Sequence, residues 1–148
     1  MVWACFAGNL KSKLVFLVGS QDGEKYVQTL EENLLPFSEE LPVTWNFMQD
    51  GAPCHCSKFP KDWLFDNYIS VLEWPAYSPD LNPIENLWII LVRRVYAIQR
   101  QFESIQSLTE CIIDAWDSIS TETLFSLAQS MRKRCVEVVL PKSKNIDY

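Results

Sequence analysis

Apolar side chains cluster in two short β-rich runs at the start of the chain, Val2 to Phe6 and Leu14 to Val18, with Gly8 and Asn9 between them. That arrangement predicts a β-hairpin. The period then lengthens: behind Asp22, a candidate N-cap, Tyr26, Val27, Leu30 and Leu34 recur at helical spacing up to Pro36. A helix stopped by Pro36 and covering the hairpin is expected. "VTWNFMQD" (Val43 to Asp50) predicts a strand rich in aromatic and β-branched residues, "FPKDWLFDN" a short helix with Pro60 near its first turn, and "ISVLEW" (Ile69 to Trp74) a further strand.

After the proline-rich stretch "PAYSPDLNP", the residues Leu87, Trp88, Leu91, Val92 and Val95 form one apolar stripe. The stripe predicts a long helix packed on a sheet. Two more helices are expected to close the chain. The first is opened by a capping box of Ser107 and Glu110 and striped by Leu108, Cys111, Ile112, Ala115, Trp116 and Ile119; the second carries Leu124, Leu127, Ala128, Met131 and Cys135. Strand pair, helix, strand, helix, strand, helix and a helical tail describe an α/β fold with a mixed sheet. The 148 residues, 48% apolar and 22% charged, fit one domain with a real core. The chain enters its first strand at once, which reads as a truncation.

Charge narrows the function. A net charge of −6 is wrong for a protein that grips nucleic acid through a broad basic face, so any DNA contact has to be local. Five cysteines (Cys5, Cys54, Cys56, Cys111, Cys135) without a disulfide-like rhythm, and no membrane-length apolar run, point to a reducing intracellular compartment.

Candidate chemistry sits at two carboxylates. Asp50 ends a predicted strand in "QDGAPCH", and Glu85 enters the first turn of the long helix after a neighbouring strand. Ligands collect at the carboxyl ends of strands in open α/β sheets. Each residue also has a plain structural explanation: Asp and Gly after a strand form turns, and Asn82, Pro83 and Glu85 read as N-cap, first and third helical positions of a capping box. Two facing carboxylates repel unless a proton or a cation joins them, and oxygen ligands of this kind suit Mg²⁺ or Mn²⁺. The chemistry implied is in-line phosphoryl transfer.

These residues carry a resemblance. "QDGAPCH" followed by "LEWPAYSPDLNPIENLW" resembles the catalytic domain of Tc/mariner superfamily transposases, whose second and third catalytic carboxylates are separated by 34 residues; positions 51 to 84 number 34. "MVWACF" at the start and "SMRKRCVEVV" near the end extend the likeness over essentially the whole chain. The resemblance implies a ribonuclease H-like fold and an Asp-Asp-Glu metal triad that cleaves DNA at transposon ends and joins the freed 3′ hydroxyl to target DNA. Asp50 matches the second carboxylate and Glu85 the third, as catalytic residues and ligands of Mg²⁺ or Mn²⁺. The first has no counterpart here, since in the family it lies on a central opening strand upstream of "MVWACF", and Asp22 falls where the pattern has no ligand. Gly51 stands where the family commonly has Asn.

The same resemblance implies transposon-end and target DNA as partners, a homodimer, a nuclear location and amino-terminal helix-turn-helix modules outside this sequence. With one triad member missing, the chain alone is expected to be inactive in strand transfer; the alternative is a non-catalytic remnant serving as an interaction or DNA-associated module. A general ribonuclease H-like nuclease fits the proline-rich stretch less well.

Further candidates are secondary. His55, Asp80 and Asn82 are expected to support the carboxylates, Asp80 by capping the turn before the helix and His55 as a structural hydrogen-bonding residue, with contact to the metal shell or the scissile phosphate as its alternative. Arg93, Arg94 and the string Arg132, Lys133, Arg134, with Lys58 and Lys61 nearer the site, read first as solvated helix faces and second as local phosphate contacts, for which Lys58, Lys61, Arg93 and Arg94 are the candidates. Cys54 and Cys56 flank His55 without the further ligands a zinc site needs. Trp74 and Trp88 are expected in the core.

Overall fold

The computed structural model describes residues 1–76, 78–97 and 101–139. The chain divides into two compact units, Met1–Ser78 and Pro79–Tyr148, each with its own core.

The first unit opens with the expected hairpin, built in two storeys. Strand β1 (Val2–Trp3) pairs antiparallel with β4 (Val15–Phe16), and β2 (Phe6–Ala7) pairs with β3 (Leu10–Lys11). The reversal between β2 and β3 needs Gly8, whose φ of +58° is open to glycine at little steric cost. Between the storeys Ser12 takes over the pairing: its N–H donates to the Cys5 carbonyl (2.9 Å) and its Oγ accepts the Cys5 N–H (2.9 Å).

Helix α1 (Gly23–Thr29) starts at Asp22, whose carboxylate accepts the Lys25 N–H at 3.0 Å. Pro36 does not stop it. The helix passes through a π-helical turn, Leu30–Leu34, into α2 (Leu35–Ser38), with Pro36 in the first turn of α2. Widening the ladder, with Leu35 N–H reaching the Leu30 carbonyl, lets the proline enter where its missing N–H costs little. Tyr26, Leu30 and Leu34 then join Phe47, Leu64 and Ile69 in one buried cluster, flanked by Trp3, Cys5, Leu35, Trp45 and Trp63.

Helix α3 (Pro53–Cys56) is a single turn; α4 (Lys58–Asp66) follows directly and packs along α1. Gly23 permits the approach, because a Cβ there would come within 2.6 Å of Ser57 Oγ and 3.1 Å of Pro60 Cδ. Helix α4 ends in a Schellman motif with Tyr68 (φ +56°) at the left-handed position: Ile69 N–H donates to the Leu64 carbonyl and Tyr68 N–H to the Phe65 carbonyl. Leu64 and Ile69, the residues that flank such a motif, are both buried.

The strands expected at Val43 to Asp50 and Ile69 to Trp74 are reduced to one parallel bridge, Phe47 to Val71. Phe47 N–H donates to the Ser70 carbonyl (2.7 Å) and its carbonyl accepts the Leu72 N–H (2.8 Å). Propensity favours extension in both segments, but a strand is sustained by ladders, and one residue pair is all that the two segments share.

In the second unit a 3-10 turn, Pro79–Leu81, leads through Asn82 into α5 (Pro83–Val95). Expected on a sheet, α5 has α6 (Ile105–Asp117) and α7 (Thr121–Gln129) as its partners within this unit. Leu87, Leu91 and Val95 are buried with Ala115, Trp116, Ile119 and Leu124; Trp88 stacks on Trp116 at 5.6 Å, whereas Val92 faces outward. Trp74, in the first unit, is half-buried.

Two boundaries differ from expectation. Helix α6 begins three residues early, with Ser104 as N-cap and Ser107 as its reciprocal partner, while Glu110 accepts from Gln106. The expected last helix breaks at Ser130 into α7 and α8 (Met131–Val139), Ser130 Oγ donating to the Leu127 carbonyl. Among the described residues no helix is long and apolar enough to cross a membrane.

Candidate functional site

Asp50 follows the Phe47 bridge and precedes α3, so the turn reading and the ligand reading apply to the same atoms. Its Oδ1 accepts the Ala52 N–H (3.0 Å) and lies 2.7 Å from His55 Nδ1. Oδ2 has no partner among the described residues, and the side chain retains 56% of its exposure. One oxygen shapes the turn; the other is free to bind a cation. Gly51 is exposed and makes no close approach that would demand glycine.

His55 is held in turn. Its ring lies 4.0 Å from the Tyr26 ring, and Tyr26 Oη donates to Gln49 Oε1 at 2.6 Å, beside Asp50 in sequence. Burial pushes the Tyr26 phenol well above its ordinary range, reinforced by the negative character of Cys54 and Asp50 nearby, so the hydroxyl remains a donor. Burial likewise raises Cys54, against partial relief from backbone N–H groups. The sequence reading places Tyr26 only in an apolar stripe. The available signal is that a buried tyrosine needs a partner for its hydroxyl, as leucine would not.

The second unit carries Glu85. Asn82 is buried and caps α5, its Oδ1 accepting the Ile84 N–H at 3.3 Å. The expected capping box does not close: Asn82 N–H donates instead to the Pro79 carbonyl (2.9 Å). The half-buried Glu85 therefore has a carboxylate with no hydrogen-bond or ion-pair partner among the described residues. Asp80 does not cap the turn with its side chain; its backbone carbonyl accepts from Arg134 Nη1 at 2.7 Å. Arg134, read from sequence as solvated, is half-buried, and its Nη2 reaches Asn86 Oδ1 at 2.7 Å.

The basic candidates divide. Lys58 and Lys61 are exposed on α4, and Arg93 is exposed on α5; Arg94 is exposed too but donates to Ser118 Oγ at the end of α6. The structure thus joins Asp50 with His55, and Asn82 with the base of Glu85, each within its own unit. All five cysteines are free thiols.

Residues 2–109 match the family described as DDE superfamily endonuclease. The chain is 38% identical over 149 aligned positions to the Caenorhabditis elegans transposable element Tc3 transposase, covering 100% of this chain and 45% of that protein. It is 35% identical to the Caenorhabditis briggsae Tcb1 transposase, covering 100% of this chain and 54% of the relative. The solved catalytic domain of Mos1 mariner transposase superposes with a TM-score of 0.73 at 19% identity, over 94% of this chain and 78% of that domain.

The chain belongs to the DDE superfamily endonucleases, among the Tc/mariner transposase catalytic domains, and has their ribonuclease H-like α/β fold. It spans about half the length of the curated relatives it matches.

Proposed function

We propose that this chain is the part of a transposase catalytic core that supplies two metal-binding carboxylates, Asp50 and Glu85, for DNA cleavage and strand transfer. The observation that carries the reading is that each motif carboxylate keeps uncommitted oxygen: Oδ2 of Asp50 stays free while Oδ1 orders the turn, and Glu85 is released from its capping box. Hard oxygen donors of this kind fit Mg²⁺ or Mn²⁺ better than softer metals. Such an ion, when bound, polarises a phosphoryl oxygen and activates the attacking hydroxyl or water.

The residues of the chain do the positioning. His55 and the Ala52 N–H fix the orientation of Asp50, and Asn82 fixes the start of the helix that carries Glu85. The relatives support the choice of ion and substrate: the Mos1 catalytic domain is solved with Mn and with Mg, and Mos1 transposase as a paired-end complex with a transposon end. Transposon-end and target DNA are accordingly the proposed partners, with Lys58, Lys61 and Arg93 as local phosphate contacts, a homodimer as the working assembly and the nucleus as its location.

A third carboxylate completes the triad in the family, and the longer relatives leave room for it and for DNA-recognition modules. The chain by itself is therefore inactive in strand transfer and binds at most one ion weakly. Mn²⁺ titration followed by electron paramagnetic resonance, with supercoiled-plasmid nicking alongside, tests this. Asp50→Asn and Glu85→Gln should each weaken Mn²⁺ binding by at least about 10-fold. Unchanged binding removes the ligand assignment; Mg²⁺-dependent nicking lost in both variants overturns the inactivity of the chain.

A further inference from the structure

We propose that Arg134 is a positioning residue for Glu85, clamping the entry of α5 from 49 residues downstream. The inference rests on Glu85 being a metal ligand. The guanidinium spends its donors in three directions: Nε to Ser130 Oγ (2.8 Å), Nη1 to the Asp80 carbonyl (2.7 Å) and Nη2 to Asn86 Oδ1 (2.7 Å). These contacts tie the start of α8, the 3-10 turn and the residue after Glu85 into one rigid group. A planar fork with fixed donor directions does this; a lysine ammonium, a point charge on a flexible stem, does not.

Two features separate positioning from general electrostatics. A cation at a helix N-terminus opposes the helix dipole, so the charge of Arg134 gains nothing from lying near the first turn of α5. Every hydrogen bond shown for the guanidinium goes to a neutral oxygen, and among the described residues no carboxylate lies within ion-pair distance. Glu85 is thus held in place without being neutralised, which a metal ligand requires. Asn82 fixes the first N–H groups of the same helix from the opposite side of the sequence, so the turn before Glu85 and the residue after it are both secured.

The test uses the full 148-residue chain and its variants Arg134→Lys and Asn86→Ala. Amide hydrogen exchange without metal is read at Asn86 and Leu87, with Ala115 and Trp116 in α6 as the reference; Mn²⁺ affinity is read by electron paramagnetic resonance, with Glu85→Gln as a control. Arg134→Lys is expected to speed exchange at Asn86 and Leu87 at least about 10-fold, leave α6 unchanged, and weaken Mn²⁺ binding about 10-fold, the range seen for groups that orient a ligand. Asn86→Ala should do the same to a smaller extent. Wild-type exchange and affinity in Arg134→Lys, or exchange raised equally in α6, overturn the clamp. Mn²⁺ affinity untouched by Glu85→Gln instead overturns the metal reading, and the metal-free exchange still decides whether Arg134 fixes the helix entry.

Discussion

His55 Nδ1 lies 2.7 Å from Asp50 Oδ1, the same oxygen that accepts the Ala52 N–H. For that contact to be a hydrogen bond to a carboxylate, Nδ1 carries a proton and donates it to Oδ1. Through Tyr26 the ring is backed by the core, so a side chain on an exposed turn acquires a fixed direction.

Removing that support loosens Asp50 without deleting it. His55→Ala is expected to weaken Mn²⁺ binding about 10-fold, and His55→Asn, whose amide can still donate, to recover most of the loss. Paramagnetic resonance titrations of the three proteins check this; equal affinities would show that the histidine only packs.

Tyr26→Phe probes the next link. The change strands Gln49 Oε1 without its 2.6 Å donor while leaving the ring in place, and costs about 1 kcal/mol. Urea unfolding gives the difference directly. A variant as stable as the parent would mean that Gln49 finds another donor.

Tyr68 is strained in the opposite sense. At φ +56° and 95% exposed, it occupies a left-handed position with little burial to offset the steric cost. Tyr68→Gly is expected to stabilise the chain by roughly 0.5–1 kcal/mol, the steric relief exceeding glycine's greater freedom in the unfolded chain. Chemical denaturation with an unchanged slope would confirm a folded-state origin; destabilisation would refute it.

What the sequence made legible was local. Asp22 and Asn82 cap the helices they precede, and Gly8 turns the hairpin, because each acts within a few residues of itself. The local settings of Asp50, at a turn, and of Glu85, at a helix start, are legible for the same reason. The segments around Phe47 and Val71 read as longer strands than they form because pairing depends on a partner segment that propensity does not see. Pro36 reads as a stop because a π-helical turn leaves no mark in the apolar pattern. Arg134 stayed hidden for a third reason: its acceptors lie 48 and 54 residues away, and a basic string looks alike whether solvated or clamped.

Cys5 gives a pH dependence. Burial pushes its thiol from 9.0 up to about 12, against partial relief from Ser12. The folded state therefore holds the proton more tightly than the unfolded chain. Its contribution is fully present below pH 9 and is lost as pH rises towards 12, at about 1.4 kcal/mol per unit in between. Urea unfolding at neutral pH and near pH 10.5, with Cys5→Ala as the control, measures it. A parent and a variant that decline in parallel would exclude Cys5 as the source.

The start of α6 offers the sharpest test of a cap, because two serines and a glutamate compete for the role. Ser104 Oγ accepts the Ser107 N–H at 3.1 Å, and Ser107 Oγ in turn receives the Ser104 N–H at 3.3 Å. Among the described residues the Glu110 side chain is bonded only to Gln106 one turn earlier, an exposed pair worth a few tenths of a kcal/mol. Ser104→Ala removes the acceptor for an otherwise orphaned N–H and is expected to cost about 1 kcal/mol. Ser107→Ala keeps the N–H that Ser104 caps, loses the reciprocal contact and the hydroxyl's donation to the Ser104 carbonyl (2.9 Å), and costs less; Glu110→Ala stays within about 0.5 kcal/mol of the parent. The order of the three unfolding midpoints decides the assignment: were Glu110→Ala the most damaging, the helix would begin at Ser107, as its sequence first suggests.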